Sequence, residues 1–430
     1  MKASKIATSL ILSALTLPAF ANECIDNFDE HVLDDGVFFR SCQLTDNDLL
    51  PIVTYMNQHP DLHYISLSQN NISDQGLKTL ALLQGKEKSI LLDDNHITDA
   101  GMVSLTATPV AYLDLSGNAV HTAGIKTLLQ NPALHRLVLH DTAIDNDIAS
   151  IFSSAQLDMI DIGSDELSSD AWKTIGATTR QKFIAVEGKN LDDGFASGFS
   201  QNTTIETLLL SDSKISAEGY SLLLKNNHFK SLLLTSINNK AALMDAIAQS
   251  KSLESLYLFG NASSLLAEDG RKIAQNISLK ALWISPNYKI DVGFANEIVK
   301  SASIHELSIS DSQNDDAIAG ALANGKNITD LMLSGGKIGD AGAIALSQMH
   351  SLETLELAEN AISDAGALAF IDNDNLEMLD LRYNKISAAA VKKLQAESRI
   401  KELFLSDQNE KLVKDVKGRH FMMNYLRTKI

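Results

Sequence analysis

Cysteine is almost missing from this chain. Two residues in 430, Cys24 and Cys42, supply neither a zinc cluster nor a disulfide framework. Basic charge is scarce as well: 36 Lys and Arg stand against 54 Asp and Glu, a formal net charge of −18. That is the wrong sign for a phosphate backbone, so no nucleic-acid partner is expected. Beyond the first residues no apolar run approaches the ~20 needed to cross a bilayer, so stable membrane insertion is not expected. The sequence also has no H-E-x-x-H, no G-x-S-x-G, no phosphate-binding glycine loop and no EF-hand loop. His121, His135 and His140 with Asp141 form the densest histidine group, but they fall on a loop, a strand entry and a strand exit, a poor arrangement for one metal. No catalytic residue, metal ligand or cofactor is assigned.

At the start, Lys2 and Lys5 precede the apolar run Ile6 to Leu17, which ends in Ala19-Phe20-Ala21 ahead of Asn22 and Glu23. This pattern predicts a signal peptide over residues 1–21 and a secreted or periplasmic mature chain. Cys24 lacks the small and aliphatic residues that precede a lipidated cysteine, which argues against a lipoprotein. In an oxidising compartment the two cysteines are expected to bond, the alternative being two buried free thiols. The remaining length exceeds one compact core, so it requires several domains or a repeat.

A repeat is present. The pattern L-x-x-L-x-L-x-x-N-x-I fits Leu62, Ile65, Leu67, Asn70, Ile72 and again Leu352, Leu355, Leu357, Asn360, Ile362. Between them the asparagine slot recurs mostly every 23 to 25 residues. It holds Asn70, Asn95, Asn118, Asn261, Asn287, Asn360 and Asn384, and has drifted to Thr142, Asp165, Lys189, Ser213, Ile237, Ser312 and Gly336. These residues resemble the leucine-rich-repeat family over about residues 59–408. Segments such as Ser73-Asp74-Gln75-Gly76, Thr98-Asp99-Ala100-Gly101 and Ser363-Asp364-Ala365-Gly366 resemble the helical half of ribonuclease-inhibitor-like repeats. There Ser or Thr caps the first turn and Asp sits at its positive end. The resemblance implies an α/β solenoid, a horseshoe with a parallel concave sheet and short convex helices, in a bacterial exported form.

In x-L-x-L-x both Leu point inward and stack on the next coil, while the Asn amide satisfies backbone groups at the bend. One such unit cannot bury enough to fold alone, so stacked neighbours must supply the burial and the ends need caps. An N-terminal cap is expected over residues 22–58, with Cys42 in the asparagine slot and Leu44 in the apolar slot behind it. About fourteen repeats of ~24 residues should fill 59–408, and Leu412, Val413, Val416, Met422, Met423, Leu426 and Ile430, at helical spacing, predict a C-terminal helical cap over 409–430.

Residues flanking each inward Leu should face solvent on the concave side. The central column turns apolar at Leu209, Leu233, Tyr257 and Trp283, with Phe259 beside Tyr257, and an exposed apolar ribbon of this kind suits a binding site. Flat cross-strand packing of the same side chains is the competing explanation. Around it the face is acidic: Asp93, Asp114, Asp161, Glu187, Glu306, Asp330, Glu356, Asp380 and Glu402 meet only Arg136 and Arg382. These features point to a protein-binding module, an effector or inhibitor, that engages a basic protein or peptide. The other class is a hydrolytic enzyme using concave-face carboxylates, which an open curved sheet rarely shelters.

Overall fold

The computed structural model describes residues 22–405 except 34, 212, 238, 260–263, 287, 311 and 312. The expected signal peptide, the C-terminal cap and the slots Asn261, Asn287 and Ser312 lie outside the described residues. The rest is an α/β solenoid with one 17-stranded sheet and a separate two-stranded one, Ser264–Leu265 with Lys289–Ile290. The first pair, Val32–Leu33 with Gly36–Phe38, is antiparallel; from Gly36–Phe38 to Glu402–Phe404 each strand of this sheet pairs in parallel with the sheet's next strand along the chain. The register stacks like on like, as in Ile160, Ile184, Leu208, Leu232 and Leu256. All five are fully buried, on a core that is continuous from Val37 to Leu405.

Between strands the chain returns through helices that run from Asp99–Met102, four residues, to Ser169–Thr178, ten residues. Strands ~4.8 Å apart on one side and helices about 10 Å wide on the other force the stack to curve, strands inward. In the middle of the stack buried rings pack against one another between sheet and helices. Trp172 meets Phe195 edge-on at 6.4 Å, and Phe199 meets Phe229 edge-on at 5.2 Å.

The asparagine slot works between repeats. Asn95 Oδ1 accepts from the Ile72 N–H, and its Nδ2 donates to the carbonyls of Leu67, Leu92 and Asp93 at 3.0–3.2 Å. Asn70, Asn118, Asn360 and Asn384 make the same four contacts. A second asparagine series works at the return from helix to strand, beside intact slots, as at Asn131 and Asn373, and beside drifted ones. Asn202 Nδ2 donates to Gly176 and Thr179 carbonyls, Asn226 to Phe199 and Asn202, and Asn276 to Ile247 and Ser250.

The Asp-x-Gly element has a related cause. Asp74 accepts from the Thr98 N–H and hydroxyl at 2.8 and 2.6 Å, and Asp340 does the same for Ser363. A Cβ on Gly101 would come within 2.5 Å of Asp74 Oδ1, and one on Gly366 within 2.6 Å of Asp340 Oδ1. The acid that ties one repeat to the next therefore demands the glycine there.

At the N-terminus Cys24 and Cys42 are joined in a disulfide. Leu44 is fully buried and its N–H is held by Asn70.

Asn118→Ala strips a partner from the buried Ile97 N–H and from three carbonyls, and is expected to cost about 2–4 kcal/mol in urea unfolding. A loss below about 0.5 kcal/mol would show that the ladder does not hold the repeats together.

Candidate functional site

The concave face is built from three columns of side chains, set by strand register. In the central column Asp114, Val138, Asp161, Ala185 and Leu209 follow one another on adjacent strands. Two residues further on, His140, Gly163 and Glu187 are neighbours. These two columns bring Asp114, Asp161 and Glu187 around one imidazole.

His140 Nε2 lies 2.6 Å from Asp161 Oδ1, and Nδ1 lies 3.7 Å from Glu187 Oε2. The ring lies over Gly163, where a Cβ would come within 2.3 Å of Nδ1, so only glycine admits this placement. Burial opposes charge on His140, but the Asp161 hydrogen bond and the charges of Asp161, Glu187 and Asp114 outweigh it and push the pKa up to about 9. The imidazolium is thus the cation at the centre of the acidic group. Asp114 accepts from the Ser116 N–H at 2.9 Å. Burial raises its carboxyl above the usual range against that bond, with Asp93 and Asp161 adding to the rise. Burial, then the charges of Asp114 and Asp161, raise the neighbouring Tyr112 phenol far above its ordinary value. Asp93 accepts from the Ser68 hydroxyl.

A second acidic group lies at the far end. Burial and Asp380 raise the Glu356 carboxyl, and Arg382 offsets them. Arg382 is bound to both Asp380 oxygens and lies over the Phe404 ring, 5.5 Å from its centroid. This group carries its own counter-ion on a rigid mount.

The apolar centre departs from the expectation of an exposed ribbon. Leu233 is fully buried, Tyr257 is 5% exposed, and Leu209, Phe259 and Trp283 are half-buried. Leu233 sits in register between Leu209 and Tyr257, and Tyr257 between Leu233 and Trp283. The Tyr257 ring lies 5.9 Å from Trp283 and 6.1 Å from Phe259. Neighbours ~4.8 Å apart on an inwardly curved surface converge at their tips and cover one another, as cross-strand pairs do. Leu209 instead packs on a concave cluster of Met159, Phe183 and Ala185. Sequence reasoning missed that cluster, although Met159 and Phe183 hold the outward position two residues before the central column.

The three histidines do not converge. His121 faces Asp99 at 3.3 Å, His135 faces Asp158 at 3.4 Å, and His140 takes the position above. Among the described residues one group has ligand atoms close enough for a metal, Cys24, His31 and Cys42, and its two sulfurs are bonded to each other.

Comparison with known proteins places leucine-rich repeats in the chain. A family model described as "Leucine rich repeat" matches residues 326–386, and another described as "Leucine Rich repeat" matches residues 58–81. No curated protein matches. An internalin (inlF) from Listeria monocytogenes is similar at 18% identity, over 76% of this chain and 88% of its own, with a TM-score of 0.40. Rad7 in its yeast complex with Elc1 is similar at 15% identity, over 85% and 89%, with a TM-score of 0.43. A Bacteroides fragilis protein gives 15% identity over 49% and 68%, with a TM-score of 0.35.

The His140 pKa, raised from 6.5 to about 9, stabilises the fold fully below about pH 6.5, and that stability is lost as pH rises through about 9. His140→Gln is expected to be less stable than wild type by about 1–3 kcal/mol at pH 6, with the gap closing by pH 10 in urea titrations. A gap independent of pH would mean that the ring acts by packing alone.

Proposed function

We propose that this chain is an exported, non-enzymatic protein-binding module that engages a basic protein or peptide through the acidic half of its concave face. The leucine-rich repeats support an interaction module. The finer reading, helix-containing repeats of the ribonuclease-inhibitor-like kind in a bacterial secreted or periplasmic effector or inhibitor, rests on the sequence pattern of Asp-x-Gly helices and on residues 1–21.

The observation that carries the proposal is the crowding of Asp114, Asp161 and Glu187 around His140, with Asp114 raised by burial and by its acidic neighbours, Asp93 among them. Keeping like charges together on a half-buried surface costs folding energy. A bound Lys or Arg relieves that repulsion, so differential stabilisation favours a cationic ligand. His140 marks where one protein-borne cation already sits. Leu209, half-buried on top of Met159 and Phe183, lies next to the acids and supplies apolar contact. Leu233 and Tyr257 are reassigned to holding the sheet, while Phe259 and Trp283 retain some surface for a partner. An enzyme would need acids sheltered in a pocket, and these lie on an open sheet.

The test is capture on immobilised wild type and on Asp114→Asn/Asp161→Asn/Glu187→Gln, matched for melting temperature, across 50 to 500 mM salt. We expect basic proteins or peptides to be held by wild type, released as salt rises and lost by the variant at least 10-fold. Partners held equally by both baits, or indifferent to salt, would overturn the assignment of this face.

A further inference from the structure

We propose a second interaction surface, separate from the concave face: the flank where helices return to strands between residues 225 and 327 takes a linear acidic polysaccharide. The chain as a whole is strongly acidic, yet this edge carries a basic residue in each of five successive repeats. Lys225 and Lys230 are followed by Lys251, then Lys280, Lys300 and Lys326, and all six are exposed.

Shallow grooves of 300, 380 and 390 Å³ follow one another along the same edge. Lys225 and Lys251 border the first, Lys251 and Lys280 the second, Lys300 and Lys326 the third. Glu254 holds Lys280 at 2.7 Å and Glu297 holds Lys300 at 2.7 Å, which fixes those two side chains and offsets their charge. Lys225, Lys230, Lys251 and Lys326 have no acidic partner within ion-pair distance among the described residues, so their charge is open to a ligand.

The spacing and the lining select the ligand class. Lysines recurring once per coil along one edge, with those of the first two coils and the last free of acidic partners, match a chain that carries charges at intervals, not a single phosphate or a compact acidic patch. Between the lysines the groove walls mix amides and hydroxyls, as at Asn227, Gln249, Ser252, Ser278 and Ser303, with apolar side chains such as Leu224, Ile277 and Val299 and with the Glu254 carboxylate. The Asn227 and Gln249 amides can donate to and accept from sugar hydroxyls, while the hydroxyls of Ser252, Ser278 and Ser303, which donate to the carbonyls of Asn226, Leu253 and Asn276, can accept from them. No Phe, Tyr or Trp lines these grooves, so the stacking platforms that single-stranded nucleic acids use are missing from their walls. A duplex, with one charge per ≈ 1.7 Å, meets the strongest repulsion from the rest of this acidic chain. A carboxylated or sulfated glycan is less densely charged and can lie along the edge without approaching the concave carboxylates. This inference does not depend on the proposed protein-binding function, since it uses another face.

The test measures binding of a sulfated heparin octasaccharide, an oligogalacturonate and an oligothymidylate of equal charge to the full chain at 50 mM salt. Wild type is expected to bind at least one of the oligosaccharides saturably, with affinity falling at least 10-fold by 300 mM salt. Lys225→Glu/Lys251→Glu/Lys326→Glu should lose at least 10-fold, the Lys→Arg triple at the same positions should retain binding, and Asp114→Asn/Asp161→Asn should leave it unchanged. All substituted lysines are exposed, and a melting curve of each variant confirms the fold. The proposal is overturned by absence of saturable oligosaccharide binding, by equal binding in the charge-reversed variant, or by loss of binding in the concave variant. Tighter binding of the oligothymidylate also overturns it, in favour of nucleic acid. Self-association of wild type that vanishes in the charge-reversed variant overturns it too, in favour of an interface between copies.

Discussion

Everything in this fold depends on polar groups of one repeat being satisfied by the next. Asn118 illustrates the constraint: its amide closes the carbonyls of its own turn, at Leu115 and Ser116, together with Leu92 of the coil before and the N–H of Ile97. A buried turn without such a partner would leave several backbone groups unpaired, each costing about 1–3 kcal/mol. The apolar core gives the repeats a reason to stack, but any two oily layers can slide. The asparagine and aspartate ladders fix the offset, because Asp74 meets Thr98 only when Gly101 lies beneath it. Strand register follows from that offset, and so do the columns of the concave face.

The concave columns inherit both the benefit and the cost of this rigidity. Side chains in perfect register on an inwardly curved sheet have no room to diverge. Apolar ones gain from it, so Leu233 and Tyr257 disappear beneath their neighbours. Carboxylates are harmed by it, and the structure answers with a cation fitted into the row. His140 is possible only because Gly163 lies beneath it, and Arg382 plays the same part beside Asp380 and Glu356. One crowding effect therefore covers Leu233 and Tyr257 and raises the carboxyls of Asp114 and Glu356.

How far the sequence could be read follows from where each signal has its partner. The slot at Asn70, Asn95, Asn118, Asn360 and Asn384 was legible because one residue type recurs at one spacing, and all five make the same contacts. The second series at Asn202, Asn226 and Asn276 has a similar spacing but lies in the variable return from helix to strand, where no flanking consensus marks it. Asp74 and Gly101 could be read singly, as a helix-terminus charge and a small residue, but their mutual exclusion spans 27 residues and appears only once the repeats are stacked. Period-two alternation told which side of the sheet Asp114, Asp161, Glu187, Tyr257 and Trp283 occupy. It carries no information on crowding, so the burial of Tyr257 and Leu233 was out of its reach. The coupling of His140 to two acids on later strands was hidden for the same reason, although the residues themselves were visible.

The separation of charge on this molecule is itself informative. At 0.1 M ionic strength a charge is screened within about 10 Å, so the acidic inner face and the lysine edge do not neutralise each other through solvent. The sequence could have mixed the two signs evenly, which would serve solubility better than segregation does. Each repeat instead contributes a central-column position and a return position, and the solenoid turns small per-repeat biases into two extended surfaces of opposite sign. A repeat fold does this at little structural expense, because outward positions bear none of the ladder contacts. Lys251, exposed and outside every ladder contact, can therefore change freely as far as folding is concerned, whereas Asp161 is tied to the fold through His140.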